Sequence, residues 1–157
     1  VYKRQVHFNG KSKELKPTSQ LNFEEIYYQT EPVKIPDAPK GETSHVPLGT
    51  LFGARSGDKG GCANLGVWAK DLDAFAFLSS FLTIEKLKEL MPDLKEFKIE
   101  RFDLPNILSL NFYIHDILED GVSSNSRKDA QAKSLGEYLR AKKANIPSSL
   151  LETLNES

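Results

Sequence analysis

The sequence predicts an α+β fold, with one antiparallel sheet covered by helices on one face. Three observations carry this expectation. Two regions, at 46–69 and 97–118, each read as a hairpin-like pair of strands. A helical segment lies between them, and a helical stripe follows the second. The length agrees: 157 residues is the size of one domain, and a chain of about 150 residues buries roughly two-thirds of its unfolded surface.

Val46 to Arg55 reads as a strand ended by the turn-rich run Ser56-Gly57-Asp58-Lys59-Gly60-Gly61. Leu65, Val67 and Ala69 then alternate with Gly66 and Trp68, which gives a second strand. Asp73 to Phe81 is strongly apolar and fits either a helix or a buried connector. Thr83 is placed to cap a helix that carries Ile84, Leu87 and Leu90 on one face and stops at Pro92. Phe97 to Phe102 reads as a short mixed strand. Asn106 to Leu118 is the most legible stretch, with Leu108, Leu110, Phe112 and Ile114 on one face and Ser109, Asn111, Tyr113 and His115 on the other. The last element spans Asp129 to Lys142, with Ala132, Leu135 and Leu139 as its stripe and Ser126 three residues ahead in a capping-box position. Trp68, Phe75, Phe77 and Phe81 read as core. No internal repeat is present.

These elements set the expected domain at 46–143, with a polar tail at 144–157 that either frays or docks. Residues 1–45 read as a linker. They show no sustained period, and four of the chain's eight prolines fall between Thr30 and Leu48. Within them Leu21 to Tyr28 fits one or two helical turns. Val1 to Gln5 matches a reading frame of a transposon sequencing adapter and reads as a processing scar, so the true upstream sequence is expected to be missing.

Composition removes several function classes. With 21 basic and 22 acidic side chains the net charge is −1, so no global positive field exists to hold nucleic acid or an anionic membrane. The single cysteine, Cys62, makes no intrachain disulfide. No apolar run approaches the roughly 20 residues of a membrane span. The expected location is cytoplasmic, with organellar targeting left open by the missing upstream sequence.

The run Arg55 to Asn64 holds the densest set of chemically useful residues. Gly57, Gly60 and Gly61 permit backbone N–H groups to converge on an anion. Arg55 offers a planar fork and Lys59 a mobile charge. Asp58 can pair with either cation or act as a base, while Ser56 and Asn64 add hydrogen-bonding groups. The spacing is not that of a phosphate-binding loop, and a tight turn with a surface ion pair explains the same residues. His115 shares a strand face with Asn111 and Tyr113, which suits a proton shuttle with an orienting amide, or equally a histidine satisfied on an exposed sheet. Cys62 is either a nucleophile stabilised by Arg55 or Lys59, or a small half-buried thiol. His7 and His45 fall in the polar first third, and Asp116, Glu119 and Asp120 read as a solvated turn, so neither a metal nor a cofactor is expected.

Arg55-Ser56-Gly57-Asp58-Lys59-Gly60-Gly61 followed by Ala63-Asn64-Leu65-Gly66-Val67 resembles the signature of the AtuA family, the acyclic terpene utilisation proteins. Leu110 to His115 with Gly121-Val122 is similar to the family's second hallmark, and Asp129 to Lys133 with Leu135 to Leu139 to its closing helix. The resemblance spans about 46–143. It implies a ferredoxin-like two-layer sandwich without an iron–sulfur cluster, usually C-terminal to a large AtuA N-terminal domain. It also implies a part in acyclic terpene or branched acyl-CoA catabolism, with an acyl-CoA ligand and hydration of an unsaturated acyl-CoA as the step. On that reading Arg55, Ser56, Gly57, Lys59, Gly60, Gly61 and Asn64 bind the anion, while His115, Asp58 and Asn111 serve catalysis. The alternative is a non-catalytic module that packs on the large domain, in cis or in trans, or on a second copy of itself. Cys62 stands where the family often has Asp or another small polar residue.

Overall fold

The computed structural model describes residues 5–15 and 31–152. The chain divides into two compact units, Val1–Glu31 and Pro32–Ser157. In the first, β1 (Gln5–Phe8) and β2 (Lys11–Glu14) form an antiparallel hairpin. Asn9 and Gly10 both take positive φ, +48° and +72°, the pattern of a tight two-residue turn. This corrects the expectation of an extended linker at 5–14: an Asn-Gly pair between short segments is a hairpin signal. The helical turn expected at Leu21 to Tyr28 lies outside the described residues, as do the first four of the expected scar.

The second unit contains β3 (Thr43–Pro47), β4 (Gly53–Lys59), β5 (Cys62–Trp68), α1 (Leu72–Phe81), α2 (Ile84–Leu90), β6 (Ile99–Leu104), β7 (Ser109–Ile114), α3 (Leu135–Arg140), β8 (Lys143–Pro147) and α4 (Ser148–Glu152). A four-stranded sheet runs β4-β5-β7-β6, antiparallel throughout, and β3 pairs with β8 in a separate ribbon. The fold is α+β, as predicted.

Several boundaries move. The strand expected over Val46 to Arg55 is two strands joined by a 3-10 turn at Leu48–Thr50, where the Leu48 N–H donates to the Lys142 carbonyl at 2.8 Å. That break lets β3 leave the main sheet for β8. The tail therefore docks: Ala144, Ile146 and Leu150 are buried, and the unit continues past residue 143. The strand expected over Asn106 to Leu118 is limited to β7, because Leu108 takes a left-handed conformation (φ +51°) at its start and Asp116 another (φ +55°) after its end.

The core lies on one side of the sheet. Ala63, Leu65 and Val67 of β5 and Leu110, Phe112 and Ile114 of β7 are at most 2% exposed and share a cluster with Phe75 and Leu78 of α1, Leu87 of α2, and Leu135 and Leu139 of α3. Asp71 caps α1 by accepting from the Ala74 N–H at 2.8 Å, and Thr83 caps α2 by accepting from the Lys86 N–H at 3.1 Å. The closing helix is shorter than expected. Ala132 sits at φ +53°, and the Asp129 carboxylate, not Ser126, organises the approach by accepting from the Lys133 and Ser134 N–H groups and from the Ser134 hydroxyl. The predicted stripe of Ala132, Leu135 and Leu139 is nonetheless buried. With Ser134 occupied, α3 takes its cap from the sheet: the Gly136 N–H donates to Ser56 Oγ at 3.0 Å. Gly136 allows this approach, since a Cβ there would lie 3.2–3.3 Å from the backbone of Ala54 and Arg55.

Candidate functional site

Directly opposed residues in an antiparallel sheet share a face, so the register defines the surface turned away from the core. Across β4, β5, β7 and β6 it runs Gly57, Asn64, Tyr113 and Glu100; then Arg55, Gly66, Asn111 and Phe102; then Gly53, Trp68, Ser109 and Leu104. No described helix covers this face, and its central residues are half-buried rather than sealed. Trp68, expected in the core, is 41% exposed here, and Phe102, Leu104 and Ile107 are exposed around it. The face thus has a polar end and an apolar end.

The predicted glycine loop is largely strand. Arg55 to Lys59 all lie in β4, and only Gly60 and Gly61 turn between Lys59 and its cross-strand partner Cys62. A strand alternates its side chains, so the predicted set divides. Arg55 and Gly57 join Asn64 and Asn111 on the open face. Ser56 and Asp58 point to the other side, where Ser56 is committed to α3. Asp58 makes no ion pair with Arg55 or Lys59 among the described residues, and the Lys59 Nζ instead donates to the Asp58 carbonyl at 3.1 Å. Gly60 takes φ +65°, and Gly61 packs so closely on the 118–121 turn that a Cβ would stand 2.2 Å from the Glu119 carbonyl oxygen. These two glycines serve a tight turn and a close approach, not a cradle for an anion.

On the open face Asn64 and Asn111 form one pair, and His115, Glu100 and Tyr113 form a second group further along β7. Asn64 Nδ2 donates to Asn111 Oδ1 at 3.4 Å. The His115 Nε2 lies 2.6 Å from Glu100 Oε1. A carboxylate only accepts, so Nε2 carries the proton and Nδ1 is the basic nitrogen of the neutral ring. Tyr113 packs edge-on against the His115 ring at 4.9 Å between centroids. The neighbouring Cys62 side chain, hydrogen-bonded to the phenol, pushes the Tyr113 hydroxyl above its usual range, with burial adding to it. Tyr113 therefore stays protonated and able to donate at neutral pH.

Glu100 is the member that the sequence did not reveal. Its signal was an acid on the β6 strand, but its pairing to His115 depends on a register set by β7. Its carboxyl is held below the ordinary 4.5, first by the His115 hydrogen bond and then by Lys98, 3.3 Å away. A depressed carboxyl contributes stability above its unfolded value that disappears as pH falls through the folded one. We expect wild type to lose more stability than Glu100→Gln on acidification below about pH 4.5, as read from urea midpoints. Parallel profiles would remove the pair from the stability of this face.

Gly57 and Gly66 complete the surface. Neither has positive φ, and a Cβ would meet nothing closer than 4.0 Å at Gly57 and 3.7 Å at Gly66. Bare backbone in strand interiors marks places where a ligand or another backbone comes close. Among the described residues no three His, Cys, Asp or Glu side chains are grouped to hold a metal ion, and no helix is long and apolar enough to cross a membrane.

A family model described as the AtuA ferredoxin-like domain matches residues 46–145. No curated protein and no solved structure matches the chain.

Proposed function

The chain belongs to the AtuA ferredoxin-like domain family, and from that premise we propose that its uncovered sheet face is one wall of an acyl-CoA site in branched or terpenoid acyl-CoA catabolism. The observation that carries the reading is the open face itself. It sets an anion-binding guanidinium and two side-chain amides around bare glycine backbone, with a carboxylate-oriented imidazole at the far end of β7. In a hydration step, Arg55 would hold an anionic group of the ligand, and Asn111 would orient the thioester carbonyl. His115, oriented by Glu100, would move a proton only where the ligand extends along β7 past Tyr113 to its imidazole. Ser56 and Asp58 leave the set because their strand positions turn them away. No described helix covers the face, so a second surface would complete the site. The large AtuA N-terminal domain, or a second copy of the chain, fits that place.

Calorimetric titration with CoA and a branched unsaturated acyl-CoA, repeated on Arg55→Ala and His115→Ala, tests this. Saturable binding weakened on the order of tenfold in either variant, with the fold intact by circular dichroism, supports the reading. Binding that neither substitution changes removes both residues from the site.

The exposed cluster of Trp68, Phe102, Leu104 and Ile107 favours a second reading, a non-catalytic module that packs this face on the large domain. Light scattering decides it: a strictly monomeric chain with no affinity for the large domain sinks the module.

A further inference from the structure

We propose that the cleft between the 3-10 turn and α3 binds a nucleotide, its base stacked on Trp68 and its phosphate held by Lys70 and Arg140. The cleft has a volume of about 310 Å³ and is lined by Gly49, Thr50, Gly53, Trp68, Lys70 and Arg140, with Leu51 and Phe52 at its back. That volume is at the lower end of ligand-sized clefts. Its lining holds Lys70 and Arg140, and the Glu137 carboxylate that pairs with Arg140 stands outside that lining. A larger cleft beside α3 is different, because Asp93, Asp129 and Glu137 share it with Arg127.

Trp68 is built as a platform. A Cβ on Gly53 would lie 2.2–2.5 Å from the indole atoms, so the ring rests directly on glycine backbone, yet it remains 41% exposed. An aromatic ring supported on one side and open on the other suits stacking with a base. Arg140 is held in the wall from beneath and from the side. A Cβ on Gly49 would come within 2.9 Å of the Arg140 Cβ and 3.1 Å of its Nε, and both Glu137 oxygens accept from its Nη1 at 3.0 Å. The Arg140 Nε is buried and finds no acceptor among the described residues. Lys70 is exposed and makes no ion pair among them. With the Arg140 Nη1 engaged by Glu137 and its Nε buried, the mobile Lys70 ammonium is the principal phosphate contact and Arg140 adds its Nη2 edge. The cleft is separate from the polar end of the open face and includes none of the residues assigned to acyl-CoA there, so the two readings fail independently.

The chain contains one tryptophan, so its fluorescence reports on a single ring, at the cleft and at the apolar end of the open face, and Lys70→Glu separates the two. Titration with ADP is expected to quench Trp68 saturably. Adenosine should bind more weakly than ADP, and inorganic phosphate should leave the emission unchanged. Lys70→Glu, an exposed position whose reversal leaves the core untouched, should weaken ADP binding on the order of tenfold. Equal quenching by CoA would identify the nucleotide end of a thioester as one source of the ligand. The proposal also stands where ADP quenches but no acyl-CoA binds at the open face. Absence of saturable quenching by ADP, or quenching that Lys70→Glu leaves unchanged, overturns it.

Discussion

Gly61→Ala is expected to cost about 2–3 kcal/mol of stability, toward the upper part of the range for overpacking a well-packed position. The added methyl would stand 2.2 Å from the Glu119 carbonyl oxygen. The obstacle is backbone, so no side-chain rotation relieves it. The turn around Glu119 is itself fastened, because the Leu118 N–H donates to the Gly61 carbonyl at 2.8 Å and the Gly121 N–H to the Leu118 carbonyl at 2.8 Å. Moving Glu119 away loosens the bonds that hold the β4–β5 tip. Urea denaturation of the variant measures the loss, and a change below about 0.5 kcal/mol, the range of ordinary surface substitutions, would show that the tip and the 118–121 turn do not press on each other. The expected loss also separates two uses of glycine. A phosphate cradle needs free N–H groups over open space, whereas Gly61 has a carbonyl where a ligand would have to enter.

This turn shows where sequence reasoning reaches its limit. Three glycines within five residues read as loop, because glycine weakens strands. The pairing of β4 with β5 overrides that local preference, extending the strand to Lys59 and fixing Ser56 and Asp58 on the side away from the open face. Alternation was a sounder guide where side chains are large. Leu110, Phe112 and Ile114 face the core and Asn111, Tyr113 and His115 do not, as their spacing predicted. Caps set by a neighbour three residues away, such as Thr83 on Lys86, were equally legible. The missed features are long-range. Glu100 meets His115 through the β6–β7 register, β8 finds β3 about a hundred residues earlier in the chain, and the cap of α3 comes from Ser56, eighty residues away. The Asn9-Gly10 hairpin is a local signal, masked in the sequence by the polar composition around it.

Gly66→Val is expected to give the opposite pattern from Gly61→Ala: a chain at least as stable as wild type that no longer engages its ligand or partner. Gly66 lies mid-strand in β5 between Arg55 and Asn111, and its nearest neighbour to an added Cβ is the Arg55 carbonyl oxygen at 3.7 Å, an ordinary contact. Glycine inside a strand costs roughly 0.5–1 kcal/mol in backbone entropy, and valine suits a pleated, half-buried surface, so the fold should gain up to that amount. Nothing within the folded unit requires a missing side chain there. If the open face is a working surface, the need comes from whatever approaches it. Two valine methyls would stand between the Arg55 guanidinium and the Asn111 amide, the groups a ligand would have to bridge. Affinity for a branched acyl-CoA, or for the large AtuA domain, should then fall more than about tenfold, a change of at least 1.4 kcal/mol. Gly66→Ala serves as the graded control, with a smaller loss. A Gly66→Val chain that is stable and binds as wild type would show that nothing docks over the centre of this sheet. Function would then have to be sought at the cleft beside Trp68, which this substitution leaves intact.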